Sequence, residues 1–249
     1  GILGMDQARK ELVSFSSLAD GVRVLTLDRG AKANALNADI VDELLACVTQ
    51  AEEEGCRTLI LSANGKAFCG GFDFGGYEEM TSGDLLLRFV RIEELLQRLR
   101  RSSFVSIALV HGAAMGAGAD IVASCTYRIG TEAARFRFPG FRFGVALGTR
   151  HLAQLVGMQR ARDILLANAT LDAVAAFDIG LLTHLTSPDG LRAKADELIG
   201  QIGSLGLRSR NRISHLTAPQ NDDGDIAELV RSVSAPGLHE RIAQYRAGH

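Results

Sequence analysis

The apolar positions in the first half of the chain repeat with strand periodicity in some segments and with helical periodicity in others. Residues 21–28 alternate apolar and polar side chains after an Ala19-Asp20-Gly21 turn, which predicts a strand leaving a hairpin. The apolar residues within 39–54 recur at helical spacing, which predicts a helix. Asn37 is placed to cap this helix and Gly55 to end it. Further along we predict two buried strands and the helix between them, at 58–63, 104–110 and 84–101. This order favours an α/β fold with right-handed crossovers.

Helical patterns dominate the second half. A short strand is predicted at residues 135–138, where arginine and phenylalanine alternate before Pro139. The polar segment 217–225, which contains Pro219 and Gly224, is predicted to be a flexible connection. The helices that we expect in this half are 150–167, 171–179, 191–202 and 237–246.

Two glycine-rich turns follow the two buried strands. The first is Phe68-Cys69-Gly70-Gly71-Phe72-Asp73-Phe74, and the second runs from Gly112 to Asp120 into a helical segment at 117–124. Glycine lacks a Cβ, so the backbone of such turns can approach a ligand closely. If the turns converge, their N–H groups could form an oxyanion hole.

Other interpretations of these turns are weaker. Gly116-Ala117-Gly118 after a strand is compatible with a dinucleotide-binding turn, but Ile121 stands where that fingerprint needs its third glycine. A Walker phosphate loop is excluded, because no GK[ST] sequence is present. Each turn alone could also be purely structural.

Composition excludes several classes of partner. The chain has 249 residues, 47% hydrophobic and 22% charged, with a formal net charge of −2. These values fit a globular protein of one large or two small domains and give no basic footprint, so we expect no nucleic-acid partner. We also expect no membrane partner, because no apolar run approaches the ~18 residues of a membrane span.

The four cysteines form no CxxC pair and have no metal-ligand spacing. We therefore predict no metal site and expect free, mostly buried thiols in a cytoplasmic protein. Cys69, in the first turn, is either a nucleophile or a packed small side chain, and the absence of a histidine nearby in sequence favours packing.

Five segments in order resemble the crotonase, or enoyl-CoA hydratase/isomerase, superfamily over nearly the whole chain. The resemblance implies an α/β fold with a crotonase-like ββα spiral core over residues 1–195, which carries the CoA and oxyanion site. It also implies a C-terminal helical oligomerisation region over residues 196–249 and assembly into homotrimers or dimers of trimers. The segments are Lys32 to Asn37, Gly65 to Asp73, His111 to Asp120, Leu171 to Leu182 and Ser234 to Arg246.

The resemblance also assigns roles by position. The N–H groups of Phe72 and Ala117 would polarise a thioester carbonyl and stabilise the enolate formed from it. Lys32 would lie near the CoA pantetheine or phosphates, unless it is a solvated loop lysine, and Asp73 and Phe74 would flank the adenine. CoA would enter as part of the acyl-CoA substrate, with no separate cofactor. The residues implied in substrate and CoA binding are Lys32, Ala33, Ala35, Phe68, Gly70, Gly71, Asp73, Phe74, Gly116 and Gly140.

The chain departs from the family pattern at the catalytic carboxylates. Family hydratases use two glutamates to activate one water, but here Asp120 stands at one position and Gly140 at the other. Asp120 is therefore either a catalytic or water-orienting group or a structural cap. Hydration that needs both an acid and a base would lack one partner. The side chains that could supply it are Tyr77, Glu78, Glu79, Arg142, Arg150 and His151.

The expected function is that of an acyl-CoA enzyme of the hydratase/isomerase family. Isomerisation asks less of this site than hydration, and decarboxylation or thioester hydrolysis could use the same oxyanion hole. A crotonase-fold protein that binds acyl-CoA, or a partner subunit, with little catalysis is the alternative. The phenylalanines that could line an acyl pocket, or simply alternate into the core, are Phe136, Phe138, Phe141 and Phe143.

Overall fold

Two β-sheets and a set of surrounding helices make up the computed structural model, which describes residues 12–218 and 221–248. Within these residues the strands are β1 Val13–Ala19, β2 Val22–Leu27, β3 Thr58–Ala63, β4 Val105–Val110, β5 Ala113–Met115, β6 Tyr127–Gly130, β7 Arg135–Arg137, β8 Leu171–Asp172 and β9 His184–Leu185. The α-helices are α1 Ala38–Glu53, α2 Ser82–Arg101, α3 Ala117–Ala123, α4 Thr149–Val156, α5 Met158–Ala167, α6 Ala173–Asp178, α7 Leu191–Ile202, α8 Leu207–Thr217, α9 Asp222–Ser234 and α10 Leu238–Ala247.

The larger sheet has the strand order β1-β2-β3-β4-β6-β9. The β1–β2 pair is an antiparallel hairpin, and the pairs from β2 onward are parallel. The smaller sheet is ordered β5-β7-β8. The predicted α/β class is confirmed, and neighbouring parallel strands β3 and β4 bring the starts of both glycine turns to one edge of the larger sheet.

Alternate residues of β3 enter opposite faces of this sheet. Leu59 and Leu61 join the main core, which also contains the apolar faces of α1 and α2, whereas Ile60 packs with α7 on the other side. The predicted N-cap of α1 is confirmed, because Asn37 Oδ1 accepts from the Ile40 N–H at 2.9 Å. Helix α2 begins two residues before the predicted start, because Thr81 forms a capping box with Asp84.

Three predicted segments were wrong in part. The helix predicted over 150–167 is two helices, since Gly157, with φ 93° and ψ 152°, leaves the helical region between α4 and α5. The helix predicted from residue 171 begins only at Ala173, because Leu171–Asp172 pairs with β7. The segment 217–225, predicted as a flexible connection, is helical from Asp222 onward, where α9 begins. Pro219 lies outside the described residues.

The C-terminal helices pack on the chain's own core. The proposed boundary at residue 195 falls inside α7, whose Ala195 and Leu198 are buried against the larger sheet. Arg241 of α10 donates to the carbonyls of Phe143 and Gly144 at 2.8 and 3.2 Å, which ties α10 to the turn after β7. Assembly into trimers through these helices stays a prediction. Among the described residues, no helix combines the length and apolar character needed to cross a membrane.

Candidate active site

The peptide of Phe72 is held by a short parallel bridge to Leu36. The Leu36 N–H donates to the Gly71 carbonyl at 2.7 Å, and the Asp73 N–H donates to the Leu36 carbonyl at 3.0 Å. Because successive N–H groups of an extended segment point to opposite sides, the Phe72 N–H faces away from Leu36. It donates to no acceptor among the described residues.

The two glycine turns converge at Gly71. A Cβ placed on Gly71 would lie 2.6 Å from the Met115 carbonyl oxygen and 3.4 Å from the Ala117 nitrogen. The turns are also bonded to each other, since the Met115 N–H donates to the Cys69 carbonyl at 2.9 Å. The Ala117 N–H, like that of Phe72, has no acceptor within the part of the chain that the structure describes. Two unpaired donors therefore come from neighbouring turns.

A cavity of about 220 Å³ opens at this junction. Its wall is mostly apolar, with rings contributed by Phe74, Phe89 and Tyr245 of α10. A concave apolar site with a few polar groups is typical of small-molecule binding. The predicted residues that line it together are Gly70, Gly71, Phe72, Phe74, Gly116, Ala117, Asp120 and Gly140.

The side chain of Phe72 fixes the first donor. Its ring stacks on Phe89 with centroids 4.3 Å apart, and the guanidinium of Arg88 lies 4.0 Å from the ring centroid. Arg88 also donates to the Leu36 carbonyl at 2.9 Å, so it contacts both sides of the bridge. This packing holds the Phe72 residue in place and leaves its N–H group free of a hydrogen bond to the described residues.

Asp120 is the carboxyl group of the cavity. It lies on α3, one turn after Ala117, and is 5% exposed. Burial raises its pKa well above the ordinary range, the charge of Glu93 raises it further, and Arg100 opposes the shift. Its carboxyl oxygens make no hydrogen bond or ion pair to the described residues, so the alternative of a structural cap has no support in its contacts.

Two glycines shape the space around this carboxyl. A Cβ on Gly148 would collide with Asp120 Oδ1, and Gly148 has a φ of 69°. A Cβ on Gly140 would lie 2.7 Å from the Val145 carbonyl oxygen. The chain therefore has no room for a side chain at residue 140 unless the turn at Val145 moves.

Comparison with known proteins identifies the family. The sequence profile of the enoyl-CoA hydratase/isomerase family matches residues 17–224. The chain belongs to this family. A crystal structure of an enoyl-CoA hydratase/isomerase-type protein from Bordetella parapertussis superposes with a TM-score of 0.93 at 36% identity, covering 96% of this chain and 99% of that one.

Two curated relatives show the range within the family. A Mycobacterium bovis protein named as a probable enoyl-CoA hydratase is 31% identical over 213 residues, which is 84% of this chain and 83% of that protein. The ethylmalonyl-CoA decarboxylase of Mus musculus is 32% identical over 177 residues, 68% of this chain and 54% of the mouse protein. The crotonase resemblance predicted from the sequence is confirmed, and the reaction is left open by these names.

The other predicted CoA residues of this family member lie outside the cavity. Lys32 and Ala33 are exposed at the cavity rim, where the Gly70 N–H donates to the Ala33 carbonyl at 2.8 Å. The Ala35 carbonyl accepts from Arg29 at 2.9 Å. Phe68 is fully buried in the main core.

Asp73 is part of a turn rather than of the cavity wall. Burial would raise its pKa, but the Gly75 N–H and an ion pair with Arg29 at 2.7 Å outweigh burial and lower it. Its carboxylate is therefore already satisfied within the protein.

Asn34 holds the loop before α1, called here the rim loop, which contains Lys32 and Ala33. The sequence indicated Asn34 only as part of the segment Lys32 to Asn37. It is fully buried with a φ of 55°. Its Nδ2 donates to the carbonyls of Asn64 and Ala67 at 2.8 and 3.0 Å, and its Oδ1 accepts from the Arg29 N–H at 2.8 Å. Asn34 thus joins the loop before α1 to the loop before the first glycine turn.

We expect Asn34→Gly to lower the free energy of unfolding by about 2–4 kcal/mol, because the three hydrogen bonds of this buried side chain are lost while the positive φ remains allowed. Urea denaturation measures the change. Asn168→Gly is the matched control: Asn168 also has a positive φ, 49°, but its Oδ1 is buried without a partner, so its replacement should leave stability unchanged or raise it. Equal losses in both variants would contradict the role of Asn34.

The remaining sequence candidates do not line the cavity. Burial raises the pKa of the Cys69 thiol to about 12, and its Sγ lies 3.3 Å from the Asn34 carbonyl, so packing is confirmed and the nucleophile is not supported. Burial lowers the pKa of His151 to about 4, and its Nε2 lies 2.6 Å from the Ala123 carbonyl. None of the side chains proposed to replace the missing glutamate lines the cavity: Tyr77, Glu78, Glu79, Arg142, Arg150 and His151.

The four phenylalanines in and after β7 divide between the acyl pocket and the core. Phe136 is fully buried in the core, whereas Phe138, Phe141 and Phe143 line the cavity. The cavity residues that the sequence did not predict include Arg137, Thr149 and Tyr245. The alternating Arg-Phe pattern marked Arg137 as a strand residue but could not show which face borders a cavity.

Thr149 carries a buried hydroxyl whose Oγ1 has no partner among the described residues. We expect Thr149→Val to raise the free energy of unfolding by about 1 kcal/mol, because an unsatisfied polar group is removed from the interior. Thr183→Val is the control, since Thr183 Oγ1 accepts from the Arg128 N–H at 2.8 Å and donates to its carbonyl at 3.0 Å. The free energy of unfolding of Thr183→Val should fall by about 1–2 kcal/mol. If chemical denaturation shows that both variants, or neither, are stabilised, the difference between the two hydroxyl groups is refuted.

Proposed function

We propose that this chain is an acyl-CoA enzyme that stabilises a thioester enolate between the N–H groups of Phe72 and Ala117. The observation that carries the proposal is the convergence of the two glycine turns: Gly71 lies against the Ala117 nitrogen, and Phe72 and Ala117 line one cavity with no acceptor for their N–H groups among the described residues. Donors positioned in advance at an oxygen that gains negative charge stabilise that charge without reorganising.

The reaction that asks least of this site is movement of a double bond by one proton-transfer group. Asp120 as carboxylate removes a proton from Cα of a 3-enoyl thioester, and the C–H electron pair moves into an enolate whose oxygen accepts from Phe72 and Ala117. Asp120 then returns the proton to Cγ, where the electron pair of the Cβ–Cγ double bond forms the new C–H bond. The enolate electrons form the double bond between Cα and Cβ, and the thioester carbonyl is restored. The carboxyl group ends as it began, so no second acid or base is required.

The environment of Asp120 suits this role. Burial makes its carboxylate a stronger base than an ordinary aspartate, which improves the match to a weakly acidic C–H group. Hydration would need another group to hold the water, and Gly140, against the Val145 carbonyl, supplies no side chain. Double-bond isomerisation is therefore our first choice over hydration.

The CoA part of the substrate is proposed to follow the rim loop. The exposed Lys32 and Ala33 adjoin Gly70, which lines the cavity. A lysine there suits a phosphate of CoA. We further propose that no cofactor besides this CoA is needed and that the chain forms homotrimers or dimers of trimers in the cytoplasm.

The test compares purified protein on 3-enoyl-CoA, 2-enoyl-CoA and malonyl-type CoA thioesters, with the products separated chromatographically. We expect 3-enoyl-CoA to be converted to 2-enoyl-CoA, with hydration at least tenfold slower. Predominant hydration or release of carbon dioxide would replace isomerisation while keeping the enolate site. Failure to bind any CoA thioester would remove the acyl-CoA proposal altogether.

A further inference from the structure

The cavity holds more hydrogen-bond donors than a thioester carbonyl can use. The N–H groups of Phe72 and Ala117 suffice for one carbonyl oxygen. Arg137 and Thr149 line the same cavity, and both Arg137 Nε and Thr149 Oγ1 are shielded from solvent without a partner among the described residues. Buried donors are normally paired, so these atoms indicate a ligand with further acceptor oxygens.

The fold places Arg137 beside the second oxyanion turn. Arg137 ends β7, where it pairs with Met115 of β5, and its carbonyl accepts from the Gly116 N–H at 2.8 Å. The half-buried side chain then reaches the wall of the cavity that contains Ala117. A cationic residue thereby lines the same cavity as the proposed reaction centre.

Arg137 has no counter-ion in the part of the chain that the structure describes. Asp120 and Arg137 are the charged residues of the cavity wall, but the charges acting on Asp120 are those of Glu93 and Arg100. Neither the ion pairs nor the side-chain hydrogen bonds of the described residues include the Arg137 guanidinium. The buried Nε without a partner is costly, and a carboxylate on the ligand would offset that cost with charge-assisted hydrogen bonds.

We propose that Arg137 determines specificity by binding a carboxylate at the far end of the acyl chain, so that the substrates are CoA thioesters of dicarboxylic acids. The inference rests on the proposed function and names its substrate class. Pairing with a guanidinium stabilises a carboxylate and opposes its loss as carbon dioxide. The anchored carboxylate is therefore one that the reaction retains.

The test measures binding of two unreactive probes of equal chain length, glutaryl-CoA and pentanoyl-CoA, by isothermal titration calorimetry. We expect the wild-type protein to prefer glutaryl-CoA and Arg137→Met to reduce that preference by about tenfold to a hundredfold, the effect of one charge-assisted contact. Arg137→Lys should retain part of it. Thermal unfolding confirms that each variant is folded.

Arg135→Met is the matched control. Arg135 lies two residues earlier on β7, is exposed, and donates to the carbonyls of Glu132 and Ala134 at 2.8 and 2.7 Å, outside the cavity. Its replacement should leave the preference for glutaryl-CoA unchanged. A second pair of probes, the glutaryl and pentanoyl thioesters of pantetheine, lacks the nucleotide phosphates and should show the same dependence on Arg137.

The outcomes separate this inference from the proposed function. If Arg137→Met weakens both CoA probes equally and neither pantetheine probe, Arg137 binds a CoA phosphate and the inference is overturned. If pentanoyl-CoA binds but wild type shows no preference for glutaryl-CoA, the substrate class is wrong while the acyl-CoA site stands. If neither probe binds, the proposed function itself fails. Release of carbon dioxide from a dicarboxylic thioester held by Arg137 would also overturn the inference.

Discussion

Gly71→Ala should lower kcat/KM on an acyl-CoA substrate by at least about 10²–10³, the effect of losing one oxyanion donor. The new methyl group would lie 2.6 Å from the Met115 carbonyl oxygen and 3.4 Å from the Ala117 nitrogen, so the two turns could not keep their separation. A φ of 88° adds strain for any residue with a Cβ. Steady-state kinetics on the folded variant measures the loss.

Gly76→Ala separates backbone strain from the closing of the oxyanion site. Gly76 has a similar φ, 75°, but a Cβ there would meet nothing within 4 Å. We expect this control to lose about 1 kcal/mol of stability and to keep its activity. If Gly71→Ala is as active as Gly76→Ala, the converging N–H groups do not form the reaction centre.

Asp120→Asn should lower kcat by about 10²–10⁴, because the only carboxyl group that lines the described cavity could no longer accept or deliver a proton. For Asp120 as base, the wild-type kcat/KM should rise with pH, and the midpoint of this rise should lie above the ordinary aspartate range. Were Asp120 instead a proton donor, as in decarboxylation, the rate would fall through the same midpoint. The pH profile of wild type therefore distinguishes the two roles.

The same substitution should stabilise the protein at neutral and higher pH. The folded-state pKa of Asp120 lies above its unfolded value, so its contribution to stability is complete below the unfolded pKa and is lost as pH rises through the folded pKa. Asparagine does not titrate, so the free energy of unfolding of Asp120→Asn relative to wild type should increase with pH. Denaturation at several pH values measures this difference.

Asp222→Asn is the control, with the opposite expected effects on stability and on rate. Asp222 accepts from Arg101 Nη2 and Nε at 2.9 and 3.0 Å, and neither residue lines the candidate cavity. The loss of this carboxylate should therefore cost about 1 kcal/mol of stability and leave the rate unchanged. An Asp120→Asn variant that keeps its activity, or is destabilised like Asp222→Asn, would place Asp120 among the structural carboxylates.

Local sequence signals predicted the parts of the fold that depend on neighbouring residues. The cap at Asn37 and the buried strand at 58–63 are set within a few positions, and both are confirmed. Gly157 shows the limit: apolar spacing continues on both sides of it, and only its backbone angles separate α4 from α5. Likewise, the strand character of β8 depends on pairing with β7, which the helical spacing after Ala173 conceals.

The site was predictable where it consists of backbone and family motif. Phe72, Ala117 and Asp120 stand in recognisable turns, and the structure gathers them in one cavity. Arg137 and Tyr245 were not predictable in this way, because their place depends on how β7 and α10 pack against those turns. A residue's presence in a cavity follows from tertiary contacts that no single segment encodes.

The most direct test of the oxyanion site is the carbonyl stretching frequency of a bound thioester labelled with ¹³C at that carbonyl. We predict a shift to lower frequency on binding to the wild-type protein, because two N–H groups would draw charge onto the oxygen, and a smaller shift or none in bound Gly71→Ala. A bound thioester that shows the same frequency as in water would contradict the proposal that Phe72 and Ala117 polarise it.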